Sequence, residues 1–188
     1  MLDLTIGLEE LKYVSEIHIV AVNNEVKEIL WLVDLGFNSN PKIKTINFNR
    51  ETQDVYEFTW NSQSTTEYSL PQTYLYEPNA AIMKSGAFDL LSKNFKVNKL
   101  HKHTHLYTSK ELIKFPGRRF LVKETIPFHK KNYKKLKSIT KANVTTRNFP
   151  KSVSDVRKLL KINDGGNDYL FFATNHEDEK VILICSKA

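Results

Sequence analysis

A cluster of lysines in the second half of the chain could bind a polyanion. Five lysines lie between residues 130 and 139, around an apolar seam formed by Tyr133, Leu136 and Ile139. At 3.6 residues per turn, this pattern predicts a helix over residues 130–139 that buries the seam and exposes most of its lysines. Exposed lysines contact phosphate groups through charge, so the helix is a candidate site for a nucleic-acid backbone.

Basic residues beside the predicted helix extend this candidate site. The complete set is Arg118, Arg119, Lys130, Lys131, Lys134, Lys135, Lys137, Lys141 and Arg147. A solvated face that serves only solubility is the alternative interpretation. Residues 93–161 hold 20 basic and only 3 acidic residues, and such an imbalance favours phosphate binding because solvated faces usually mix both signs.

Charge also divides the chain into two parts. Residues 1–70 contain 5 Lys and Arg against 11 Asp and Glu, whereas residues 71–188 contain 23 against 10. The sign changes near a polar, hydroxyl-rich stretch at residues 61–71. We therefore expect a domain boundary there.

Other residues with chemical potential give weaker signals. His101, His103 and His105 alternate and would share one side of an extended segment, but nearby cysteines and carboxylates are too few to predict a metal site. Cys185 lies in an apolar strand and is predicted to be a buried, unreactive thiol. The six glycines form no phosphate-binding loop or nucleophile elbow, so no catalytic or cofactor-binding residue is assigned.

Composition limits the cellular setting that we expect. A single cysteine cannot form an internal disulfide, and no apolar run approaches the ~20 residues that a membrane-spanning helix needs. We therefore predict a cytoplasmic protein without a membrane partner.

The sequence pattern of residues 1–70 predicts an α/β sheet. A helix over Leu2–Leu11 is followed by a strand over Glu16–Val22, and the apolar spacing of Glu25–Val33 predicts a second helix. Two further strands, Ile43–Phe48 and Val55–Trp60, are expected to form a hairpin.

The second part begins with a predicted helix. Apolar residues recur every three or four positions from Ala80 to Leu91, and Glu77 and Pro78 suit the start of that helix. A βαβαββ module then follows, in which Asp164-Gly165-Gly166 is expected to end the last helix. Its elements are predicted at Arg119–Ile126, Lys130–Ile139, Asn143–Phe149, Val153–Leu160, Tyr169–Thr174 and Val181–Ser186.

Several sequence runs resemble one family. These runs are Tyr76–Phe88, His105–Ser109, Ala142–Pro150 and Asp164–Leu170. They resemble bacterial class I S-adenosylmethionine-dependent methyltransferases that have a C-terminal THUMP-like domain. Met1-Leu2-Asp3 and Glu16–Val22 resemble the last part of the Rossmann-like methyltransferase domain of that family, whereas its cofactor-binding glycine loop has no counterpart in this sequence.

The resemblance implies three regions of an α/β and α+β protein. Residues 1–68 would be the C-terminal remnant of a Rossmann-like methyltransferase sheet, residues 69–114 a ferredoxin-like segment and residues 115–188 a THUMP-like module. The chain would be a fragment that is inactive alone, with S-adenosylmethionine bound by the parent protein and the N-terminal methyltransferase half as the missing partner.

Two functions follow from the resemblance and the charge. The first is binding of an RNA substrate, such as transfer or ribosomal RNA, for methylation by the parent protein. The alternative is a protein-interaction or structural tail of a methyltransferase that acts on another substrate, with lysines that steer an acidic partner.

Overall fold

The computed structural model describes residues 3–188, which form two compact units. The first unit comprises the residues up to Thr65 together with Pro78–Lys93, and the second comprises Thr66–Glu77 together with Asn94–Ala188. Leu2, the predicted start of the first helix, and the Met1-Leu2 part of the N-terminal motif lie outside the described residues. The domain boundaries at residues 68 and 114 stay predictions.

The first unit is built on a four-stranded sheet of order β2-β1-β3-β4. Its elements are α1 (Leu4–Glu10), β1 (Val14–Val22), β2 (Glu25–Val33), β3 (Lys42–Phe48), β4 (Gln53–Thr59), α2 (Ala80–Ser85) and most of α3 (Phe88–Phe95), whose last two residues belong to the second unit. Strands β1 and β3 run parallel, and β3 pairs with β4 in the predicted hairpin. The core of the unit lies on one sheet face, where Ile17, Ile19 and Ala21 pack with Ala81 of α2.

The predicted helix over Glu25–Val33 is wrong, because this segment is strand β2, antiparallel to β1. Asn23 and Asn24 both adopt left-handed backbone angles (φ 50° and 64°). Two such residues form the tight turn of a β-hairpin, and asparagine tolerates this conformation better than most residues. The expected strand-helix-strand order is therefore replaced by a direct hairpin.

A β-bulge explains why the sequence of β2 resembles that of a helix. Val20 pairs with Glu28 and Ala21 pairs with Val26, so Lys27 is an extra residue without an opposite partner. The insertion brings Val26 and Ile29 to the same face, although three positions separate them. Their spacing is typical of a helix but results here from a bulged strand.

A glycine divides the helix that was predicted from Ala80 to Leu91. Gly86 has a φ of 73° and ends α2, after which α3 begins at Phe88. Asn79 caps α2, since its Oδ1 accepts the amide of Ile82 at 3.0 Å. The prediction that Glu77 and Pro78 serve the start of this helix is therefore wrong, because both residues lie at the end of a strand over Tyr74–Pro78.

The second unit contains a seven-stranded sheet of order β6-β7-β5-β8-β11-β10-β9. Its elements are β5 (Tyr74–Pro78), β6 (Asn98–Lys99), β7 (Tyr107–Ser109), β8 (Gly117–Pro127), a 3₁₀ helix (Lys130–Leu136), β9 (Lys141–Arg147), α4 (Val153–Leu160), β10 (Asn163–Thr174) and β11 (Lys180–Lys187). The four C-terminal strands and α4 confirm the corresponding predictions. Ser152 caps α4 in a reciprocal capping box with Asp155.

Apolar residues cover both faces of this sheet. Alternate residues of β10 and β11 enter two separate clusters, as expected for central strands. One cluster includes Phe171, Ala173, Leu183 and Cys185, and the other includes Leu170, Phe172, Ile182 and Ile184. Full burial of each large side chain contributes roughly 1.5–3 kcal/mol, so both faces hold the strands in place.

The two adjacent glycines have a different role from the one predicted. Lys161, in a left-handed conformation, ends α4, and Gly165 and Gly166 belong to β10. Both glycines have positive φ values, and the pairing of β10 with β9 shifts between Asp164 and Tyr169. They therefore form an irregularity within the strand. A Cβ on Gly166 would lie 3.1 Å from the Lys141 carbonyl oxygen.

Cys185 is completely buried in β11, which confirms its predicted position in the core. Burial raises the pKa of its thiol to about 12, although the nearby charge of Lys123 acts in the opposite direction. The thiol is thus protonated at neutral pH.

No helix within residues 3–188 is long and apolar enough to cross a membrane.

The β1–β2 turn gives a prediction for stability. Replacing Asn23 with Val should lower the free energy of unfolding by about 1–2 kcal/mol, because a β-branched residue is strained in the left-handed region. Asn23→Gly should change it by a few tenths, since glycine adopts this conformation readily. Urea denaturation of both variants measures the difference, and equal midpoints for Val and Gly would contradict the assigned turn.

Candidate nucleic-acid interface

The predicted lysine-rich helix is present but has 3₁₀ rather than α geometry. It spans Lys130–Leu136, and the backbone amides of Asn132, Lys137 and Ile139 each bond the carbonyl three residues earlier. A 3₁₀ helix has three residues per turn, so residues three positions apart lie in line. The apolar residues Tyr133, Leu136 and Ile139 follow this period of three, which provides a sequence signal for the observed geometry.

The 3₁₀ geometry places three lysines in one row. Lys131, Lys134 and Lys137 are separated by three positions each, and their side chains are exposed. Lys130 instead shares a row with Tyr133, and Lys135 shares one with Asn132. The predicted lysine cluster therefore consists of one lysine row, formed by Lys131, Lys134 and Lys137, with two further exposed lysines beside it.

Aromatic and aliphatic contacts hold the 3₁₀ helix against the sheet. Leu136 is 2% exposed and belongs to the cluster that contains Phe172. The ring of Tyr133 lies 5.4 Å from that of Phe128, which in turn packs edge-on against Phe149 at 4.8 Å. Desolvation raises the pKa of the Tyr133 hydroxyl above its usual value. The helix that carries the lysine row is thus held in position by packing against the core of the sheet.

An acidic residue pairs with one of the five lysines. The Lys135 Nζ lies 2.5 Å from Oε1 of Glu124, and both side chains are nearly half exposed. Within residues 3–188, the other four lysines, which include Lys137 directly after the helix, form no ion pair. Their charges are therefore available to a ligand, and the lysine row carries three of them.

Two arginines of the predicted site meet at a buried carboxylate. Nε of Arg118 donates to Oε2 of Glu77 at 2.7 Å, and Nη2 of Arg118 bonds the same oxygen. Nη2 of Arg147 donates to Oε1 of Glu77 at 2.7 Å. The Glu77 side chain is 3% exposed, whereas those of Arg118 and Arg147 are 45% and 36% exposed. This cluster was not predicted, because nothing in the sequence around Glu77 indicates partners 41 and 70 residues away.

These arginines project from the opposite sheet face to the one that the 3₁₀ helix covers. In β9, Ala142 and Val144 belong to the cluster under the 3₁₀ helix, so the alternating side chain of Arg147 faces the other way. Arg118 lies over the ring of Phe120, at 5.6 Å, and Phe120 belongs to the cluster of that other face. The predicted site is therefore divided into the lysine row and the Arg118–Arg147 pair.

The remaining predicted residues lie at strand starts. Arg119 is exposed near the beginning of β8, where its carbonyl accepts the amide of Ala188 at 3.2 Å. Lys141 is exposed as the first residue of β9, beside Gly165 and Gly166. Neither residue forms an ion pair within the part of the chain that the structure describes.

The sequence suggested that the three alternating histidines could share one side of an extended segment, but the structure places them around a turn. Residues 102–104 form a turn, closed by a bond from the Thr104 amide to the His101 carbonyl. His101 Nε2 lies 3.1 Å from a carboxylate oxygen of Asp178, and the His103 amide bonds His101 Nδ1. Over residues 3–188, no group of three or more potential ligands is arranged to hold a metal ion.

Two family models match parts of the chain. Residues 74–116 match the family model of a ferredoxin-like domain, and residues 117–187 match that of a THUMP-like domain. The chain thus contains both kinds of domain, as the sequence resemblance implied. The lysine row and the Arg118–Arg147 pair lie within the THUMP-like match.

One solved structure resembles the whole chain. It is the crystal structure of a candidate methyltransferase from Porphyromonas gingivalis W83, with a TM-score of 0.93 and 36% sequence identity. The match covers 100% of this chain and 49% of the other, so the chain spans about half the length of that protein. No curated protein matches the sequence.

The anchoring of the 3₁₀ helix can be tested by mutation. Leu136→Ala should lower the free energy of unfolding by about 2–5 kcal/mol, because it leaves a cavity in a fully buried cluster. Lys137→Ala, a matched change at the neighbouring exposed position, should alter it by less than about 0.5 kcal/mol. Chemical denaturation monitored by fluorescence compares the two variants. Similar destabilisation by both would show that Leu136 does not anchor the helix.

Proposed function

We propose that this chain is the RNA-binding part of an S-adenosylmethionine-dependent methyltransferase. The observation that carries the proposal is the lysine row on the 3₁₀ helix, which combines exposure, a fixed position and the lack of acidic partners within residues 3–188. The THUMP-like match and the similarity to a candidate methyltransferase support the same function.

The geometry of the lysine row suits a nucleic-acid strand. At a rise of about 2 Å per residue, lysines three positions apart are spaced by about 6 Å along the helix axis. This spacing is comparable to that of successive phosphates along a strand. Lysines in such an arrangement contact the backbone without reading bases, so they would position transfer or ribosomal RNA while another part of the enzyme selects the nucleotide.

The first unit provides the connection to a methyltransferase domain. Its sheet has one face packed with α2 and a second face that exposes apolar residues. Val22, Leu30, Leu32, Phe48 and Val55 are between 39% and 46% exposed and lie on this second face by strand alternation and register. We infer that the sheet is the C-terminal remnant of a Rossmann-like domain, with the N-terminal methyltransferase half as the partner that covers this face.

The residues of the first unit do not fit a cofactor site of their own. Cofactor loops of Rossmann-like domains join a strand to a helix through closely spaced glycines. Of the three glycines among the described residues of this unit, Gly7 lies inside α1, Gly36 follows β2 without a helix after it, and Gly86 separates two helices. S-adenosylmethionine is therefore assigned to the parent protein, and the fragment alone is expected to be inactive.

Calorimetry can test this assignment of the cofactor. Titration of S-adenosylmethionine into the 188-residue chain should give no saturable heat, because the described residues of the first unit contain no glycine-rich loop that could hold the cofactor. The longer Porphyromonas gingivalis protein provides the comparison. Tight and saturable binding to the short chain would contradict the proposal that the cofactor site lies outside it.

RNA binding through the lysine row has a distinct salt dependence. The triple variant Lys131→Gln, Lys134→Gln, Lys137→Gln should bind unrelated RNA sequences more weakly, since phosphate contacts do not depend on base identity. Each lost contact should also flatten the slope of log affinity against log salt by about 0.7 for single strands, and thus by about two units in all. Fluorescence anisotropy over a range of salt concentrations measures both quantities.

A matched control separates the lysine row from net charge. The triple variant Lys12→Gln, Lys27→Gln, Arg50→Gln removes three exposed positive charges from the first unit. It should retain nearly the original affinity and slope, because those residues lie outside the proposed interface. Equal losses in the two triple variants, both folded by circular dichroism, would refute the assignment of RNA binding to the lysine row.

A further inference from the structure

The cluster of Glu77, Arg118 and Arg147 has features beyond those of a simple ion pair. Both oxygens of the Glu77 carboxylate are engaged, one by Arg118 and the other by Arg147. The two guanidinium groups must therefore be neighbours. Since a buried carboxylate is costly unless it is paired, Glu77 strongly favours the conformations in which both arginines reach it.

Both arginines still present hydrogen-bond donors to solvent. Their side chains are 45% and 36% exposed, and a guanidinium carries five N–H donors, of which Glu77 engages only some. Nε of Arg147 is buried and has no hydrogen-bond partner within the described residues. The two positive charges exceed the single negative charge, so the cluster retains a net positive charge.

Contacts with Glu77 and with an aromatic ring limit the freedom of the arginines. Arg118 lies over the Phe120 ring, a cation–π contact at 5.6 Å, and Arg147 is the last residue of β9. Long side chains normally lose much rotamer freedom when they bind a ligand. Glu77 already restricts both side chains and Phe120 restricts Arg118 further, which lowers the cost of binding an anion between the two arginines.

We propose that Arg118 and Arg147, held in place by Glu77, form a clamp for a phosphate group. Planar guanidinium forks suit phosphate oxygens, and the clamp lies on the sheet face opposite to the lysine row. The phosphate could belong to a polynucleotide or be free in solution. The polynucleotide version rests on the proposed RNA-binding function, whereas binding of inorganic phosphate does not.

Glu77 acts in this proposal as a positioning residue. If the arginines contributed only charge, Glu77→Gln would strengthen phosphate binding, because it removes a negative charge beside them. If Glu77 orients them, the same substitution should weaken binding despite the added positive charge. Glu124→Gln is the matched control, since it also removes one carboxylate from an ion pair with a basic residue, Lys135.

The first measurement uses inorganic phosphate as the probe. In ¹H–¹⁵N spectra of the intact chain, the Nε–H signals of Arg118 and Arg147 should shift together and saturably as phosphate is added. The apparent affinity should fall about tenfold in Glu77→Gln and remain unchanged in Glu124→Gln. Absence of saturable shifts in the wild-type chain, or equal affinities in wild type and folded Glu77→Gln, would overturn the clamp.

Conservative variants keep the test decisive if Glu77→Gln does not fold. Arg118→Lys and Arg147→Lys retain the charge but lose the planar fork, so each should weaken phosphate binding about tenfold. Arg50→Lys, the same substitution at an exposed position of the first unit, should leave it unchanged. Unchanged phosphate affinity in both Arg118→Lys and Arg147→Lys would overturn the proposal.

RNA binding distinguishes the sources of the phosphate. If the clamp binds RNA, Glu77→Gln should lower RNA affinity while Glu124→Gln leaves it equal or higher. If RNA binds the wild type and Glu77→Gln equally, the polynucleotide version is wrong even though the lysine row still binds RNA. If inorganic phosphate binds the clamp but no RNA binds the chain, the proposed function fails and the clamp stands as a site for free phosphate.

Discussion

Burial of apolar side chains on both faces of β10 and β11 is the constraint on which the second unit depends. Each strand must be covered twice, because alternate residues enter different clusters. Leu136 of the 3₁₀ helix belongs to the apolar cluster on one face of the sheet. The cluster on the other face includes Leu75, Leu100 and Leu106. The charged surfaces are consequently attached to elements that the core holds in place, which favours binding with little rearrangement.

The two faces of this sheet carry positive charge in different ways. On one face, the lysine row presents exposed, strongly hydrated ammonium groups on flexible stems, without acidic partners within residues 3–188. On the other, Arg118 and Arg147 are held by a buried carboxylate. Lysines provide attraction that tolerates many backbone geometries, whereas fixed guanidinium groups demand a particular one. A ligand that engaged both faces would thus be attracted by one and oriented by the other.

Elements that depend on local patterns could be predicted from the sequence. The strands of the C-terminal module, the capped helix α4 and the basic character of the 3₁₀ helix all follow from spacing within a few residues. Strand β2 could not be predicted, because the bulge at Lys27 brings Val26 and Ile29 to one face at a helical spacing. The role of Glu77 could not be predicted either, since its partners are distant in sequence and only the fold brings them together.

The covalent path of the chain constrains how the protein can be divided. It passes between the two compact units three times, after Thr65, Glu77 and Lys93, so neither unit is a contiguous stretch of sequence. The ferredoxin-like match at residues 74–116 therefore includes α2, whose Ala81 completes the core of the first unit. A chain cut anywhere between residues 65 and 78 would take that helix away from the sheet it covers. Gene fusions and shortened versions of this protein should accordingly keep the two units together.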